Sequence, residues 1–203
     1  MICLVFGLPA RAEAPLKIVA LGDSLTAGFG LPEDKSFPAK LQTVLRGKGY
    51  DVTVVNAGAS GDTASGGLAR LDWSVPEDTD AVILELGAND ALRGIDPKVT
   101  KEALDKILTR LEQRHIPVLL TGMLSPVNMG ADYEREFNAI FPALAATHDV
   151  IFYPFFLKGV GVGTTLSQSD MIHPNIAGVG VIVINILPSV EDLIARVRRA
   201  RKQ

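Results

Sequence analysis

Short apolar runs alternate along the chain with longer stretches in which apolar residues recur every three or four positions. Five runs rich in Val, Ile and Leu are predicted to be buried β-strands: residues 17–21, 52–56, 81–86, 117–122 and, with a weaker pattern, 150–153. Their nearly continuous hydrophobicity is typical of a parallel sheet that is covered on both faces. Four further stretches are predicted to be helices: residues 36–48, 96–114, 133–147 and 176–201, the last of them broken at Pro188.

The alternation of strands and helices predicts the fold class. Right-handed β-α-β crossovers build a three-layer α/β/α sandwich around a mostly parallel central sheet, here of roughly five strands. In such a sheet, ligands bind outside the carboxyl ends of the strands. The residues that follow each strand are therefore the ones to examine for chemistry.

The composition narrows the classes of function. The chain has 203 residues, of which 47% are hydrophobic and 21% charged, and its formal net charge is -3. This length fits one domain, and slight acidity argues against nucleic acid as a partner. One cysteine excludes an intramolecular disulfide and a cysteine-based zinc site, and three histidines are too few for a His-rich metal site. The function is therefore expected to depend on a few polar residues.

Residues 1–14 follow a different pattern from the rest of the chain. An apolar run, residues 1–8, is followed by Pro9 and by small residues at alternate positions, Ala10, Ala12 and Ala14. The run is too short to span a bilayer, and the pattern resembles the late part of a secretory signal. We interpret residues 1–14 as a signal remnant and 15–203 as a single domain, which predicts a periplasmic or secreted protein. A frayed N-terminus and a cytoplasmic location are the alternatives.

Polar or glycine-bearing segments follow the first three predicted strands. They are Gly-Asp-Ser at 22–24, Asn-Ala-Gly-Ala-Ser-Gly-Asp at 56–62 and Gly-Ala-Asn-Asp at 87–90, and a fourth segment, Asp-Met-Ile-His-Pro, stands at 170–174. A serine becomes a nucleophile when a neutral imidazole takes its proton and a carboxylate orients that imidazole. Asp170 and His173 are three residues apart, which predicts that they lie on the same side of one helical turn. Ser24 supplies a hydroxyl, and the backbone N–H groups of Ser24 and Gly58 and the amide of Asn89 are candidate oxyanion donors.

These four blocks, in this order, resemble the SGNH (GDSL-type) hydrolase superfamily. The resemblance is greatest to its bacterial multifunctional thioesterase/lysophospholipases and arylesterases, and it extends over nearly the whole chain after residue 14. It implies a flavodoxin-like sandwich with Ser24, Asp170 and His173 as the catalytic triad. It also implies that Ser24, Gly58 and Asn89 form the oxyanion hole.

One position departs from the pattern of this superfamily, which commonly has glycine after the aspartate of the last block. Here that residue is Met171, whose long side chain is expected to crowd or reshape the acyl or alcohol pocket. Asp23, Met171, Ile172 and Asn128 are the candidate substrate-binding residues. Asp23 has a second interpretation as a residue that organises the backbone, since a Ser–His mechanism needs no further base.

The resemblance predicts a serine esterase that acts on short- to medium-chain acyl esters, with aryl esters, thioesters and lysophospholipids as candidate substrates. The expected partner is a small-molecule ester, with no metal or organic cofactor, no nucleic acid and no stable membrane insertion. A carbohydrate O-acetylesterase that uses the same site is the first alternative, and a non-catalytic binding domain is the second. The two other histidines, His115 and His148, are expected to be structural, and the glycine-rich segment 159–163 is expected to be a loop beside the active site.

Overall fold

The central element of the computed structural model, which describes residues 15–161 and 163–202, is a parallel sheet. Its strands are β1 (Leu16–Gly22), β2 (Val52–Gly58), β3 (Ala81–Glu85), β4 (Val118–Thr121) and β5 (Ile151–Tyr153). They lie in the order β2-β1-β3-β4-β5. Gly22, at the end of β1, is in register with Gly58 of β2 and Glu85 of β3, so these three strands end level with one another.

Helices cover both faces of this sheet. They are α1 (Ser24–Ala27), α2 (Phe37–Gly47), α3 (Ala64–Ala69), α4 (Leu71–Ser74), α5 (Ala88–Leu92), α6 (Pro97–Gln113), α7 (Ala131–Asn138), α8 (Ile140–Thr147) and α9 (Ile176–Ala200). Helices α2 and α9 pack together on one face, and α3, α6 and α8 lie on the other. The predicted α/β/α sandwich is confirmed. The interpretation of residues 1–14 falls outside the described residues and stays a prediction.

The hydrophobic pattern explains why these layers form. Every residue of β3 is buried, as expected for a strand that has helices on both of its faces. In α6, Leu104, Ile107, Leu108 and Leu111 recur at helical spacing, and all four are buried. Asp96 begins this helix, because its side chain accepts a hydrogen bond from the backbone N–H of Lys98.

Two predicted helices differ from the observed ones, and proline is involved both times. The helix predicted at 133–147 is two helices, α7 and α8, which meet at Ala139. Pro142 has no N–H to continue the ladder from α7, but it fits the first turn of a new helix.

The break predicted at Pro188 is absent, since α9 runs through it. Pro188 and Ile184, whose carbonyl would be its partner, are both exposed, where solvent can satisfy that carbonyl.

Helix α9 is long and apolar enough to cross a membrane by length and composition alone. Its buried residues include Val179, Ile182, Val183 and Ile186, which pack into the same core as the strands. A core helix of a folded domain has this composition for that reason.

Helices α2 and α6 end in the same hydrogen-bonded motif with different residues at its left-handed position. In α2, Tyr50 N donates to Leu45 O and Gly49 N to Arg46 O; in α6, Ile116 N donates to Leu111 O and His115 N to Glu112 O. The left-handed residue is Gly49 (φ 87°) in the first case and His115 (φ 55°) in the second. An L-residue with a Cβ is strained in this conformation. The left-handed backbone therefore has a higher free energy at His115 than at Gly49.

We therefore predict that His115→Gly raises the free energy of unfolding by about 0.5–1 kcal/mol, measured by urea denaturation. His115 is exposed, so little packing is lost with its side chain. The matched change is Gly49→Ala, which is expected to lower stability by about 1 kcal/mol, because no heavy atom lies within 4 Å of the added Cβ and only the backbone conformation opposes it. Equal effects of the two changes, in sign and size, would contradict this account.

Candidate active site

Three polar side chains from distant parts of the sequence meet at the carboxyl edge of the sheet. Ser24 is the first residue of α1 and follows β1 after one residue, and Asn89 lies in α5 just after β3. His173 belongs to the turn 170–173, which precedes α9. Because β1 and β3 are neighbours in the sheet, Ser24 and Asn89 are placed side by side.

The predicted triad residues are within hydrogen-bonding distance of one another. His173 Nε2 is 2.9 Å from Ser24 Oγ, and His173 Nδ1 is 2.6 Å from Asp170 Oδ2. A neutral imidazole with its proton on Nδ1 donates to the carboxylate and accepts the serine hydroxyl at Nε2. This is the arrangement of a nucleophile, a general base and an orienting carboxylate.

The turn that carries Asp170 and His173 is not the helical turn expected from their spacing. Instead, Asp170 Oδ1 accepts the backbone N–H groups of Ile172 (2.9 Å) and His173 (3.0 Å), which closes a tight turn. The hydrogen bond from the His173 ring, together with the smaller effects of the two backbone hydrogen bonds, lowers the pKa of Asp170 to about 2. Asp170 is therefore ionised at neutral pH.

Two residues that the sequence did not single out hold His173 in place. The ring of Phe29 lies against the imidazole, with 4.6 Å between the ring centroids. Gln168 N donates to His173 O at 2.7 Å, and Gln168 Nε2 donates to Phe29 O at 2.7 Å. The loop after α1 and the turn before α9 are thus joined around the base.

An apolar groove opens beside Ser24 and His173. Its cavity volume is about 170 Å³, and its apolar lining includes Leu25, Leu92, Met123, Leu124, Leu157 and Ile172. Most of these residues follow β3, β4 or β5, so the groove extends from Ser24 towards the β5 edge of the sheet. A groove of this kind accommodates a hydrocarbon chain.

Two larger hollows, of about 280 and 510 Å³, lie at the opposite, amino-terminal edge of the sheet, around His115, Ile116 and Pro117. Neither of them contains a serine beside a histidine. His148, at the edge of the first, donates a hydrogen bond from Nε2 to Asp105 Oδ1, 2.9 Å away. Cavity volume therefore does not identify the active site. The candidate active site is the smaller groove at the carboxyl edge of the sheet.

Comparison with known proteins identifies the family. The pattern of the GDSL-like Lipase/Acylhydrolase family matches residues 20–181, which is most of the chain. The chain belongs to this family.

Relatives and a solved structure agree with this assignment. The chain is 41% identical to an arylesterase of Vibrio mimicus over 172 residues, 84% of this chain and 86% of the relative. It is 39% identical to thioesterase 1/protease 1/lysophospholipase L1 of Escherichia coli K12 over 169 residues, 83% and 80% of the two chains. The crystal structure of AlinE4, an SGNH-hydrolase family esterase, has 43% identity and a TM-score of 0.75, with 90% of this chain and 98% of that chain covered. The protein is accordingly a carboxylic ester hydrolase of the SGNH type.

Asn89 is held in the site through its side-chain amide. Asn89 Nδ2 donates to Asp62 O at 2.9 Å and to Asp23 Oδ2 at 3.1 Å. The backbone N–H of Ser24 is at the first position of α1, where helical N–H groups have no partner within the helix. The two hydrogens of the Asn89 amide are thus used by Asp62 O and Asp23 Oδ2 in the free protein, so donation to an oxyanion would share one of them, whereas the Ser24 N–H is open beside the nucleophile.

Gly58 was expected to be the third oxyanion donor, but its N–H is already used within the protein. Its N–H donates to Asn56 Oδ1 at 3.0 Å, and a Cβ on Gly58 would be 2.6 Å from Ala27 Cα, so this glycine allows close packing of β2 against α1.

Gly61 lies three residues after Gly58, in the turn whose Asp62 carbonyl accepts from Asn89. Its N–H has no hydrogen-bond partner among the described residues, and its φ of 85° fits only glycine well.

The four candidate substrate-binding residues have different positions. Ile172 lines the groove. Asp23 is fully buried beneath Asn89, so its contact is with that amide and a substrate cannot reach it. Asn128 is exposed and lies outside the groove lining.

Met171 also lies outside the groove lining, at the left-handed position of the triad turn (φ 65°). Its thioether packs on the glycine-rich segment, because a Cβ on Gly163 would be 3.1 Å from Met171 Cε. Gly163 N also donates to Met171 O at 3.0 Å. Met171 therefore contacts the neighbouring loop and does not crowd the groove.

The Asp170–His173 contact generates a prediction. Asp170→Asn keeps an oxygen for the two backbone N–H groups but presents an amide N–H to His173 Nδ1, which favours the wrong tautomer of the base. We expect kcat for an aryl ester to fall by about 10²–10⁴-fold, with KM changed only slightly.

The matched control is Asp105→Asn, which removes the same kind of contact at His148 far from the groove. It is expected to leave kcat unchanged. Retention of wild-type kcat by Asp170→Asn, in protein with the wild-type melting temperature, would contradict the role of Asp170.

Proposed function

We propose that the protein is a serine esterase that hydrolyses short- to medium-chain acyl esters through an acyl-enzyme. The observation that carries this proposal is the hydrogen-bonded series Asp170–His173–Ser24 at the mouth of an apolar groove. Aryl esters, thioesters and lysophospholipids are the candidate substrates, in keeping with the names of the relatives. Finding the series and the groove together favours catalysis over a non-catalytic binding role.

Acylation begins when Ser24 Oγ attacks the ester carbonyl carbon and its proton passes to His173 Nε2. A tetrahedral intermediate forms, and its oxyanion accepts hydrogen bonds from Ser24 N–H, Gly61 N–H and the Asn89 amide. Asp170 stabilises the imidazolium that has formed. The carbon–oxygen bond to the leaving group then breaks, and His173 gives its proton to the departing alcohol, or to the thiol of a thioester.

Deacylation repeats these steps with water as the nucleophile. Water gives a proton to His173 Nε2 and attacks the acyl carbon, and the same three donors stabilise the second oxyanion. The bond from Ser24 Oγ to the acyl carbon breaks, and the proton returns to Ser24. One acid and one alcohol are released for each ester and water consumed.

The order of the strands divides the site into two sides. The apolar residues that follow β4 and β5 lie on one side of Ser24, and the polar turn 59–62 after β2 lies on the other. An acyl chain is stabilised on the apolar side, because each buried CH₂ contributes about 0.8 kcal/mol. The alcohol or thiol of the substrate therefore leaves towards the β2 side.

The serine mechanism is tested with p-nitrophenyl esters of two to twelve carbons. We expect wild-type protein to hydrolyse the series with an optimum among the shorter chains, and Ser24→Ala to lose at least about 10³-fold in kcat. Equal rates for the two proteins would overturn the mechanism. A preference for an acetylated sugar over every aryl ester would favour the carbohydrate O-acetylesterase alternative.

The acyl groove is tested by filling it. Leu124 lines the groove and is partly exposed, so Leu124→Trp is expected to occupy the space of the outer acyl carbons. We predict that kcat/KM for the decanoyl ester falls about 10-fold or more relative to the acetyl ester. Val127→Trp is the control, because Val127 is exposed nearby but does not line the groove. The same fall in both variants would show that the acyl chain does not use this groove.

A further inference from the structure

Two buried carboxyl groups that the proposed mechanism does not use lie beneath the nucleophile. Asp23 precedes Ser24, and Glu85 ends the neighbouring strand β3; the side chains of both are fully buried. Burying a carboxyl group is costly unless hydrogen bonds compensate it. Their contacts therefore indicate what they contribute to the site.

The Asp23 carboxylate joins the nucleophile to the oxyanion amide. Its Oδ1 accepts the backbone N–H of Leu25 at 2.9 Å, which caps α1, the helix that begins with Ser24. Its Oδ2 accepts from Asn89 Nδ2 at 3.1 Å. One rigid, three-atom group thus fixes the position of Asn89 relative to Ser24.

Glu85 supports the same turn from below. Its Oε2 is 2.8 Å from Thr26 Oγ1 and 3.3 Å from the backbone N of Asp23. Its Oε1 is buried and has no partner among the described residues. An ionised carboxylate with one bare oxygen in this position is costly, whereas the neutral acid avoids a second buried charge beside Asp23.

We propose that Asp23 is a positioning residue for ester hydrolysis, whose ionised carboxylate accepts a hydrogen bond from the Asn89 amide and so keeps its NH₂ group, not its carbonyl oxygen, beside the nucleophile, while Glu85 stays protonated beneath it. The proposal rests on the proposed function, because it assigns Asn89 to the oxyanion. It does not assign Asp23 to any contact with substrate.

The charge on Asp23 determines whether its carboxyl group accepts a hydrogen bond from the Asn89 amide or donates one to it. A carboxylate only accepts hydrogen bonds, so Asn89 must turn its NH₂ group towards it. A protonated Asp23 donates, which favours the flipped amide with its carbonyl oxygen towards Asp23 and the oxyanion site. The Asp62 carbonyl, the other acceptor of Asn89, opposes the flip but does not change with pH.

Burial and neighbouring groups change the pKa values of Asp23 and Glu85. Burial is the main cause that raises the pKa of Asp23 to about 6, against the lowering effects of its hydrogen bonds from Leu25 and Asn89. Burial, and then the charge of Asp23, raise the pKa of Glu85 well above its usual value.

Titratable or charged groups face this pair from the neighbouring elements. They are Asp90 from α5, His173 from the turn before α9, and Arg70, at the end of α3, whose Nη2 donates to Gly22 O. Of these, Asp90 raises the pKa of Asp23 and His173 lowers it. Protonation of Asp23 as the pH falls through about 6 is expected to weaken the hydrogen bond that fixes the Asn89 amide.

The kinetic test uses two isosteric changes that each remove one ionisable group of the pair. Asp23→Asn still caps α1 through its oxygen but presents an NH₂ group to the NH₂ group of Asn89. We expect kcat to fall about 10²-fold or more with KM within a few-fold of wild type. Glu85→Gln is expected to keep wild-type kcat, because the amide oxygen of Gln can still accept from Thr26 Oγ1 and Asp23 N.

Glu85→Gln has a second readout in stability. An acid whose pKa is raised by folding costs stability at pH values above its unfolded pKa, and the cost grows as the pH rises towards the folded pKa. The melting temperature of Glu85→Gln should therefore exceed that of wild type by a margin that widens from pH 5 to pH 8. An equal loss of kcat in the two variants, or a normal kcat in Asp23→Asn, would overturn the proposal.

A spectroscopic test separates this proposal from the proposed function. In the inactive Ser24→Ala background, the side-chain NH₂ signals of Asn89, identified by their loss in Asn89→Ser, are followed by ¹⁵N–¹H NMR from pH 4.5 to pH 8. We expect a transition with a midpoint near pH 6 that disappears when Asp23→Asn is added. Persistence of the transition without Asp23 would assign it to His173 and overturn the proposal. Hydrolysis by Ser24→Ala would instead overturn the proposed function and leave the spectra unaffected.

Discussion

The close approach of the chain to itself just after β1 is the constraint on which the site depends. A Cβ on Gly22 would lie 2.6 Å from the carbonyl oxygen of Glu85 and 2.6 Å from its Oε2, and it would overlap Thr26 Oγ1. Only glycine fits there, and its absence of a side chain lets α1 turn back over the end of the strand. Ser24 consequently points into the groove, while Asp23 points down into the protein.

This turn also explains why two acids are buried in an otherwise apolar layer. The backbone N–H groups of Asp23 and Leu25 and the hydroxyl of Thr26 face inwards once the chain has turned, and buried donors need acceptors. Glu85 supplies acceptors to Asp23 N and Thr26 Oγ1, and Asp23 supplies them to Leu25 N and Asn89 Nδ2. The polar layer beneath the nucleophile is thus a consequence of the geometry that exposes the nucleophile.

Much of the fold could be predicted from the sequence, because continuous apolar runs and helical periodicity report burial directly. The candidate triad could be predicted because Ser24 follows the first strand in a Gly-Asp-Ser motif, and Asp170 and His173 form an Asp-x-x-His motif ahead of α9. The donor Gly61 could not be distinguished from Gly58 in this way, since the difference lies in a φ angle and in the side chain of Asn56. Groove residues such as Leu124 and Leu157 come from irregular segments, whose positions depend on packing between distant elements.

The hydrogen bond between His173 and Ser24 joins residues 149 positions apart, from opposite ends of the described chain. Contacts of such long sequence separation form late, because the intervening chain must first lose much of its freedom. The sheet can assemble before the segment at 170–173 docks, but the base reaches the nucleophile only after it has docked. Hydrolytic activity during refolding is therefore expected to report the docking of residues 170–173 and not the formation of the sheet alone.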